Sequence, residues 1–380
     1  MNLFIYQNVK QYKAPILIVL VSEILILLFL GRLAAYFLPH SRAVSLNIWE
    51  LWNVWDVPHY ISIASSGYQK LGDEANFIIY LPFFPLLISI FKFVFQTSYL
   101  IAGYIVSLFT SILLAIILYK LTLLDYTKKT AILTVLMLFI FPTSFFLHIP
   151  YTESLFILLS VASFYFARQK HYWISFLFIG LATATKIVGL ALIPAIFIEV
   201  LILDRQNFNK KGIYNKLSIL LFGSTFALSG FLIYLFLNYY LWGDFFYFTV
   251  IQKQHFYETF APFGQGLVNA FQSLFWRTGL EKIMLGYGQI AAFFLGLGMS
   301  FYVLVKVRFS YGIFMFIVLF FSYSMSLWIP MPRYILSLFP MYIALAIFSK
   351  NVLFKYIWIL FSVILLLILA LIFIQYGPVF

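Results

Sequence analysis

The chain of 380 residues contains no cysteine. That excludes a disulfide framework and any thiolate metal site. Charge is almost as scarce: Asp, Glu, Lys and Arg make up 9% of the residues, where a soluble domain carries about 25%. With 64% hydrophobic residues beside so little charge, the chain reads as a polytopic membrane protein. Acidic residues are the rarest charged class, 12 against 24 basic, and a carboxylate is costly near lipid. Each one therefore calls for a reason. Walker loops, Gly-x-Gly-x-x-Gly fingerprints and His-Glu-x-x-His helices are missing, so nothing supports nucleotide hydrolysis or zinc proteolysis. No fixed-period repeat and no low-complexity tract is visible. The net charge of +12 could suit nucleic acid, but the basic residues lie in short clusters between apolar runs. Such clusters set membrane topology, so no nucleic-acid partner is expected.

What the chain has is apolar runs. They fall at about 15–38, 99–119, 131–147, 154–167, 173–185, 188–203, 217–241, 284–305, 311–329, 334–348 and 356–375. Lys10 and Lys13 precede the first run without a small-residue cleavage site, which reads as an uncleaved span. Residues 173–203 fit two spans or one kinked unit. Segment 80–95 is short: as a helix it covers about 24 Å, less than the hydrocarbon core of about 30 Å. If it lies on the outer side as a juxtamembrane or re-entrant helix, most basic residues fall on the cytoplasmic side; if it crosses, the later clusters flip outward. The expectation is one all-α domain, 1–380, of about eleven spans plus the outer juxtamembrane helix. The N-terminus is inside and the C-terminus outside, with an outer catalytic loop at 39–98 and a second outer loop at 242–283.

This topology gathers the least lipid-like residues on the outer face. The stretch Trp52 to Tyr68 holds Asp56 and, three residues on, His59, roughly on one side of a helix. A structural role is open to Asp56 as an N-cap, with Pro58 in the first turn and Gly67 at the helix end. A catalytic role is open to it as a base. Lys186, in an apolar unit, must snorkel, pair or bind an anion. Arg333 follows Pro330-Met331-Pro332 and reads equally as an interfacial anchor or a fork for phosphate. Glu153 opens a span behind Thr152, where capping by Thr152 and the helix dipole account for it, beside a substrate contact. His59 and His148 lack a third ligand at fixed spacing, so no metal site is expected and dependence on a divalent metal is left open.

Five stretches, in order, resemble one family. Trp55-Asp56-x-x-His59-Tyr60-x-x-Ile63-Ala64-x-x-Gly67-Tyr68 resembles the first outer loop of the PIG-V type of GPI mannosyltransferase and its prokaryotic relatives. Phe83-Phe84-Pro85-Leu86, Tyr151-Thr152-Glu153-Ser154-Leu155-Phe156, Ala184-Thr185-Lys186-x-x-Gly189 and Arg333-Tyr334-x-x-x-x-Phe339-Pro340 resemble the family's later motifs. Lys186 stands where the family has arginine, and Val54 where it often has one. The resemblance covers residues 50 to about 345. It implies the GT-C glycosyltransferase architecture, a polyprenyl-phosphate sugar donor, mannose as the sugar, and Asp56 as the catalytic carboxylate.

The expected activity is therefore sugar transfer at the extracytoplasmic face, in the plasma membrane of a prokaryote or the endoplasmic reticulum of a eukaryote. The acceptor is a glycan or glycolipid, and membrane lipid is the surrounding partner. Asp56 takes the proton of the acceptor hydroxyl. Trp55, His59, Tyr60, Tyr151, Glu153, Lys186 and Arg333 contact substrate, with Trp52 and Tyr68 as further aromatic lining. The competing classes are a multi-pass lipid or sugar transporter or flippase, and a noncatalytic subunit of the same fold. A transporter calls for ionisable groups or broken helices near the midplane of several spans.

Overall fold

In the computed structural model, which describes residues 2–33, 47–203, 210–326 and 331–379, regular structure is helical apart from one isolated antiparallel bridge, Phe260 to Met325. The end of the expected first span (34–38), the start of the outer loop (39–46) and Pro330 lie outside the described residues. Five helical stretches are long and apolar enough to cross a bilayer: Gln11–Leu33, Tyr99–Leu123, Leu217–Trp242, Gly279–Lys306 and Val352–Ile374. The protein is thus an all-helical integral membrane protein.

The elements used below are α1 (Asn2–Glu23), α2 (Val57–Ser66), α3 (Phe83–Phe95), α4 (Tyr99–Leu123), α5 (Lys128–Phe139), α6 (Glu153–Arg168), α7 (Tyr172–Thr183), α8 (Leu192–Leu203), α9 (Lys210–Trp242), α10 (Phe309–Tyr323) and α11 (Val352–Ile374). Helix α6 is central. Its 16 residues are buried almost all the way round, as a helix apolar on every face must be. α4, α7 and α8 pack directly against it.

Polar contacts at the two ends of α6 fix how the chain folds around it. At the N-terminal end, the Lys186 ammonium lies 2.7 Å from Glu153. At the C-terminal end, Arg168 Nε lies 3.7 Å from Glu199 of α8. Helix α7 starts beside Arg168, the turn at 184–186 returns to Glu153, and α8 descends again to Arg168. Residues 172–203 are therefore a hairpin of two short helical legs. α7 is held tightly to α9 because both present glycine at the crossing. A Cβ on Gly180 would lie 2.4 Å from the Phe226 carbonyl oxygen, and one on Gly230 would lie 2.0 Å from that of Gly180. Only glycine admits this approach.

Segment 80–95 forms a short helix, α3, where the sequence places one. It meets the preceding 3-10 turn Asp73–Ile79 at 110°, so the two cannot make one straight span. α3 packs on α2 and α4. Charged residues also gather at the end of the bundle opposite Glu153, where the sequence reading places Arg168 and Arg308. Glu199, fully buried, accepts from Arg308 Nε at 2.8 Å and from the Ser310 hydroxyl, and Arg168 Nη2 donates to Asp125 at 2.7 Å. This network ties α6, α8 and α10 at the end of α6 opposite Glu153. It pairs groups that arrive from different helices, which no sequence window reveals.

Candidate active site

The site begins at a local backbone choice. Trp55 has φ of +58°, a left-handed conformation that is rare for a bulky residue and marks a position held by its surroundings. The tight turn closed by Val57 N–H on the Val54 carbonyl (3.2 Å) swings Asp56 to the N-cap position of α2. Pro58 occupies the first turn and Gly67, at φ +69°, ends the helix, both as the sequence suggests. The Asp56 side chain nevertheless makes no capping hydrogen bond. The cap account of Asp56 fails, because its two oxygens are engaged elsewhere. Thr152 likewise sits at the N-cap of α6 without a side-chain cap, so capping does not explain Glu153 either.

Asp56 Oδ2 accepts from Arg333 Nη1 at 2.7 Å, and Oδ1 accepts from the Tyr80 hydroxyl at 3.1 Å. The same Tyr80 oxygen lies 2.8 Å from His59 Nδ1. Proton bookkeeping then assigns the chain. A carboxylate only accepts, so the single Tyr80 proton points to Asp56, and His59 Nδ1–H donates to Tyr80. Burial pushes His59 below its usual value although Asp56 pulls the other way, which keeps the ring neutral at pH 7 with one N–H to give. Asp56 and His59, three apart on α2, thus meet through Tyr80. The backbone N–H of Asp56 also donates to the Tyr151 hydroxyl at 3.2 Å.

The second pair lies beside the first. Lys186 Nζ donates to Glu153 Oε1 at 2.7 Å, and Arg333 Nε is 3.5 Å from the same oxygen. Glu153 is 1% exposed and Lys186 15%, so Lys186 does not snorkel; it pairs. Arg333 is walled by the rings of Tyr151 and Phe146, with centroids 5.4 and 5.6 Å from its guanidinium carbon. Asp56, Glu153, Lys186 and Arg333 therefore form one cluster of two carboxylates and two cations. Arg333 bridges the two pairs, and its Nε and Glu153 Oε2 are buried without a hydrogen-bond partner. That is an unfinished polar set, able to accept and give hydrogen bonds to an entering ligand.

The other expected site residues divide. Tyr60 and Tyr151 are buried, edge to face at 6.1 Å, and hold the wall behind Asp56. Trp55 is half-buried with its ring edge on Tyr376 at 5.9 Å. Trp52 is fully buried, packed on Phe145 and Phe373, so it is core and not sugar-site lining. Tyr68 donates to the Tyr80 carbonyl at 2.5 Å and thereby fixes the residue that orients Asp56. His148 lies apart from His59: it is buried between Ser22 and Glu23 of α1. Among the described residues no three His, Asp or Glu side chains gather as metal ligands.

Two contributors escaped the sequence reading. Tyr80 carries no motif; it sits on the border between the outer loop and the apolar run that starts at Leu81. Glu258 comes from the long loop 242–283. Its loop is pinned to the end of α10 by Thr259 N–H on Ser326 Oγ (3.0 Å) and Ala261 N–H on the Ser324 carbonyl (2.8 Å). Burial pushes its carboxyl up to about 7, with Arg333 opposing and Asp56 adding to the rise. The scarcity of acidic residues was the available signal for Glu258.

No protein-family model and no curated protein sequence matches this chain. Among solved structures, the fold is similar to that of ArnT from Cupriavidus metallidurans bound to undecaprenyl phosphate: TM-score 0.50, 17% identity, covering 76% of this chain and 54% of that one. An oligosaccharyltransferase from Archaeoglobus fulgidus, in complex with Zn and sulfate, aligns with TM-score 0.48 and 13% identity over 96% of this chain and 53% of that one. The chain spans about half the length of the structures it matches. At these identities the likeness is one of fold alone.

Proposed function

We propose that the protein is a membrane glycosyltransferase that moves a sugar from a polyprenyl-phosphate carrier to a hydroxyl of a glycan or glycolipid, at the extracytoplasmic or lumenal face. The observation that carries this reading is the cluster in which Asp56, oriented by Tyr80, pairs with Arg333, and Arg333 approaches Glu153, the partner of Lys186. The resemblance of the five motifs to PIG-V-type enzymes supplies mannose as the sugar. Eleven spans with the N-terminus inside and a single domain over 1–380 belong to the same proposal.

The chemistry follows from the side chains. The acceptor O–H gives its proton to an Asp56 oxygen; each carboxylate oxygen has two acceptor sites, so Tyr80 and Arg333 leave room for it. The acceptor oxygen forms a bond to the anomeric carbon. The bond from that carbon to the phosphate oxygen breaks, and its electron pair leaves with the lipid phosphate. Negative charge thus moves from acceptor side to phosphate side. Cations placed where charge develops stabilise that step. Arg333 is positioned for both ends: an arriving phosphate draws its guanidinium from Asp56, which frees the carboxylate to act as base. Lys186, held by Glu153, supplies the second cation.

The test is an assay of the purified protein with a panel of radiolabelled polyprenyl-phosphate sugars and, beside them, nucleotide sugars. The proposal expects transfer from polyprenyl-phosphate mannose. Lipid or sugar flux across proteoliposomes with no glycosidic product from any donor would replace it with the transporter reading.

A further inference from the structure

At the end of the bundle away from the site lies an open groove of about 470 Å³ lined by Lys128, Lys129, Ile132, Leu133 and Lys355. Lys128 and Lys129 are exposed in the first turn of α5, and Lys355 is half-buried in the first turns of α11. The far end of α11 reaches the outer region, where Phe373 packs on Trp52 and Tyr151. Eighteen helical residues from Lys355 to Phe373 separate the two places by about 27 Å.

The cations around the site and in the buried network are matched by carboxylates: Arg333, Lys186, Arg168 and Arg308 each have one within 4.0 Å. Among the described residues, none of the three groove lysines has one. Nor does either helix carry an acidic residue in its first turn, where the helix dipole makes lysine unfavourable. The groove is therefore short of negative charge. The groove's lining is almost wholly apolar, made by the stems of the three lysines together with Ile132 and Leu133, and next to Lys355 the helix exposes Val352, Leu353, Ile357 and Leu360 at 57–69%. That apolar surface is the lipid-facing side of a spanning helix. A soluble anion would use the lysines and leave the aliphatic wall without a partner. A lipid with an anionic headgroup uses both.

We infer that this groove binds an anionic phospholipid, its phosphate against Lys128, Lys129 and Lys355 and its acyl chain along Ile132, Leu133 and the exposed face of α11. The positive-inside pattern assigns the groove to the cytoplasmic leaflet, where anionic lipid gathers around basic segments. The site is separate from sugar transfer and does not depend on that function.

The experiment is native mass spectrometry of the delipidated full-length protein titrated with phosphatidylglycerol, with phosphatidylcholine of the same chains as control. Each lysine near a headgroup is worth about fivefold in binding, so Lys128→Gln/Lys129→Gln/Lys355→Gln should weaken phosphatidylglycerol retention on the order of a hundredfold. Lys128→Arg/Lys129→Arg/Lys355→Arg should retain it, and the single change Lys355→Gln, which guards against misfolding of the triple variant, should lose about fivefold. Equal retention of the two lipids, or unchanged retention by the glutamine variants, overturns the inference. Full displacement of phosphatidylglycerol by inorganic phosphate at the same concentration overturns it in favour of a site for free anions.

Discussion

Replacing Glu153 with glutamine removes the negative partner of Lys186 and one of the two negative partners of Arg333. The shape is almost unchanged. The ion-paired cluster passes from two cations with two carboxylates to two cations with Asp56. Glu153 is 1% exposed, so its loss is not made good by water at that oxygen, and Lys186 is only 15% exposed. Breaking a buried pair by removing one partner costs about 3–5 kcal/mol, and the residual exposure of Lys186 places this case near the lower end. The unfolding free energy should fall by about 3 kcal/mol, a large share of the 5–15 kcal/mol typical of a folded protein. Lys186→Met leaves Glu153 with Arg333 at 3.5 Å and should cost less. In the double variant neither charge is stranded, so its loss should be smaller than the sum of the two single losses by about 2 kcal/mol. Reversible denaturant unfolding of the purified protein in micelles measures all four corners of the cycle. If the single losses add to the double loss within about 0.5 kcal/mol, the pair does not couple, and the reasoning that Lys186 is matched and not snorkelling is refuted.

Tyr80→Phe keeps the ring but deletes the hydrogen bond to Asp56 at 3.1 Å. A hydrogen bond to a charged group is worth about 1.5–3 kcal/mol, so sugar transfer should fall by roughly 10- to 100-fold with little change in donor affinity; unchanged turnover would remove Tyr80 from the site. For Glu258, the folded carboxyl is raised to about 7 from 4.5, so its contribution to stability is present in full below about 4.5 and lost as pH rises through 7. The wild-type melting temperature should therefore drop more between pH 5 and 8 than that of Glu258→Gln, and parallel curves would contradict the raised value. Because the chain has no native cysteine, single cysteines at Ser66, Phe263 and Leu124 report sidedness directly. The first two should react with impermeant thiol reagents outside intact cells and the third should not; the reverse pattern would invert the topology.

The sequence carried the site's charges further than it carried their partners. Asp56, Glu153, Lys186 and Arg333 stand out in any reading because charge is so rare in this chain, and the structure joins all four through ion pairs. Their pairing was not legible. Asp56 and Arg333 are 277 residues apart, and nothing local distinguishes a capping aspartate from one that turns to a distant guanidinium. Tyr80 illustrates the same limit in an uncharged residue, since one of 27 tyrosines has no reason to be singled out until the chain brings it to Asp56. The short helix within 80–95 was readable from length and composition; the bend that precedes it was not. Trp52 was misread because an aromatic beside a polar stretch looks like lining. Its burial depends on Phe373, from the far end of the chain.

The account rests most heavily on Asp56 as the base, and the measurement that bears on it is turnover of Asp56→Asn in a defined assay with a polyprenyl-phosphate sugar donor. Asparagine keeps the size, and its carbonyl oxygen still accepts from Arg333 while its amide NH2 faces the Tyr80 oxygen, but it cannot take a proton at neutral pH. Since Asp56 is paired and not a cap, some stability should be lost; the assay is therefore run on folded, monodisperse protein, normalised to its amount. The account predicts a fall in turnover of about two orders of magnitude or more, the usual contribution of a positioned base. Near-normal turnover by Asp56→Asn would contradict it, and would leave the carboxylate as a structural partner of Arg333.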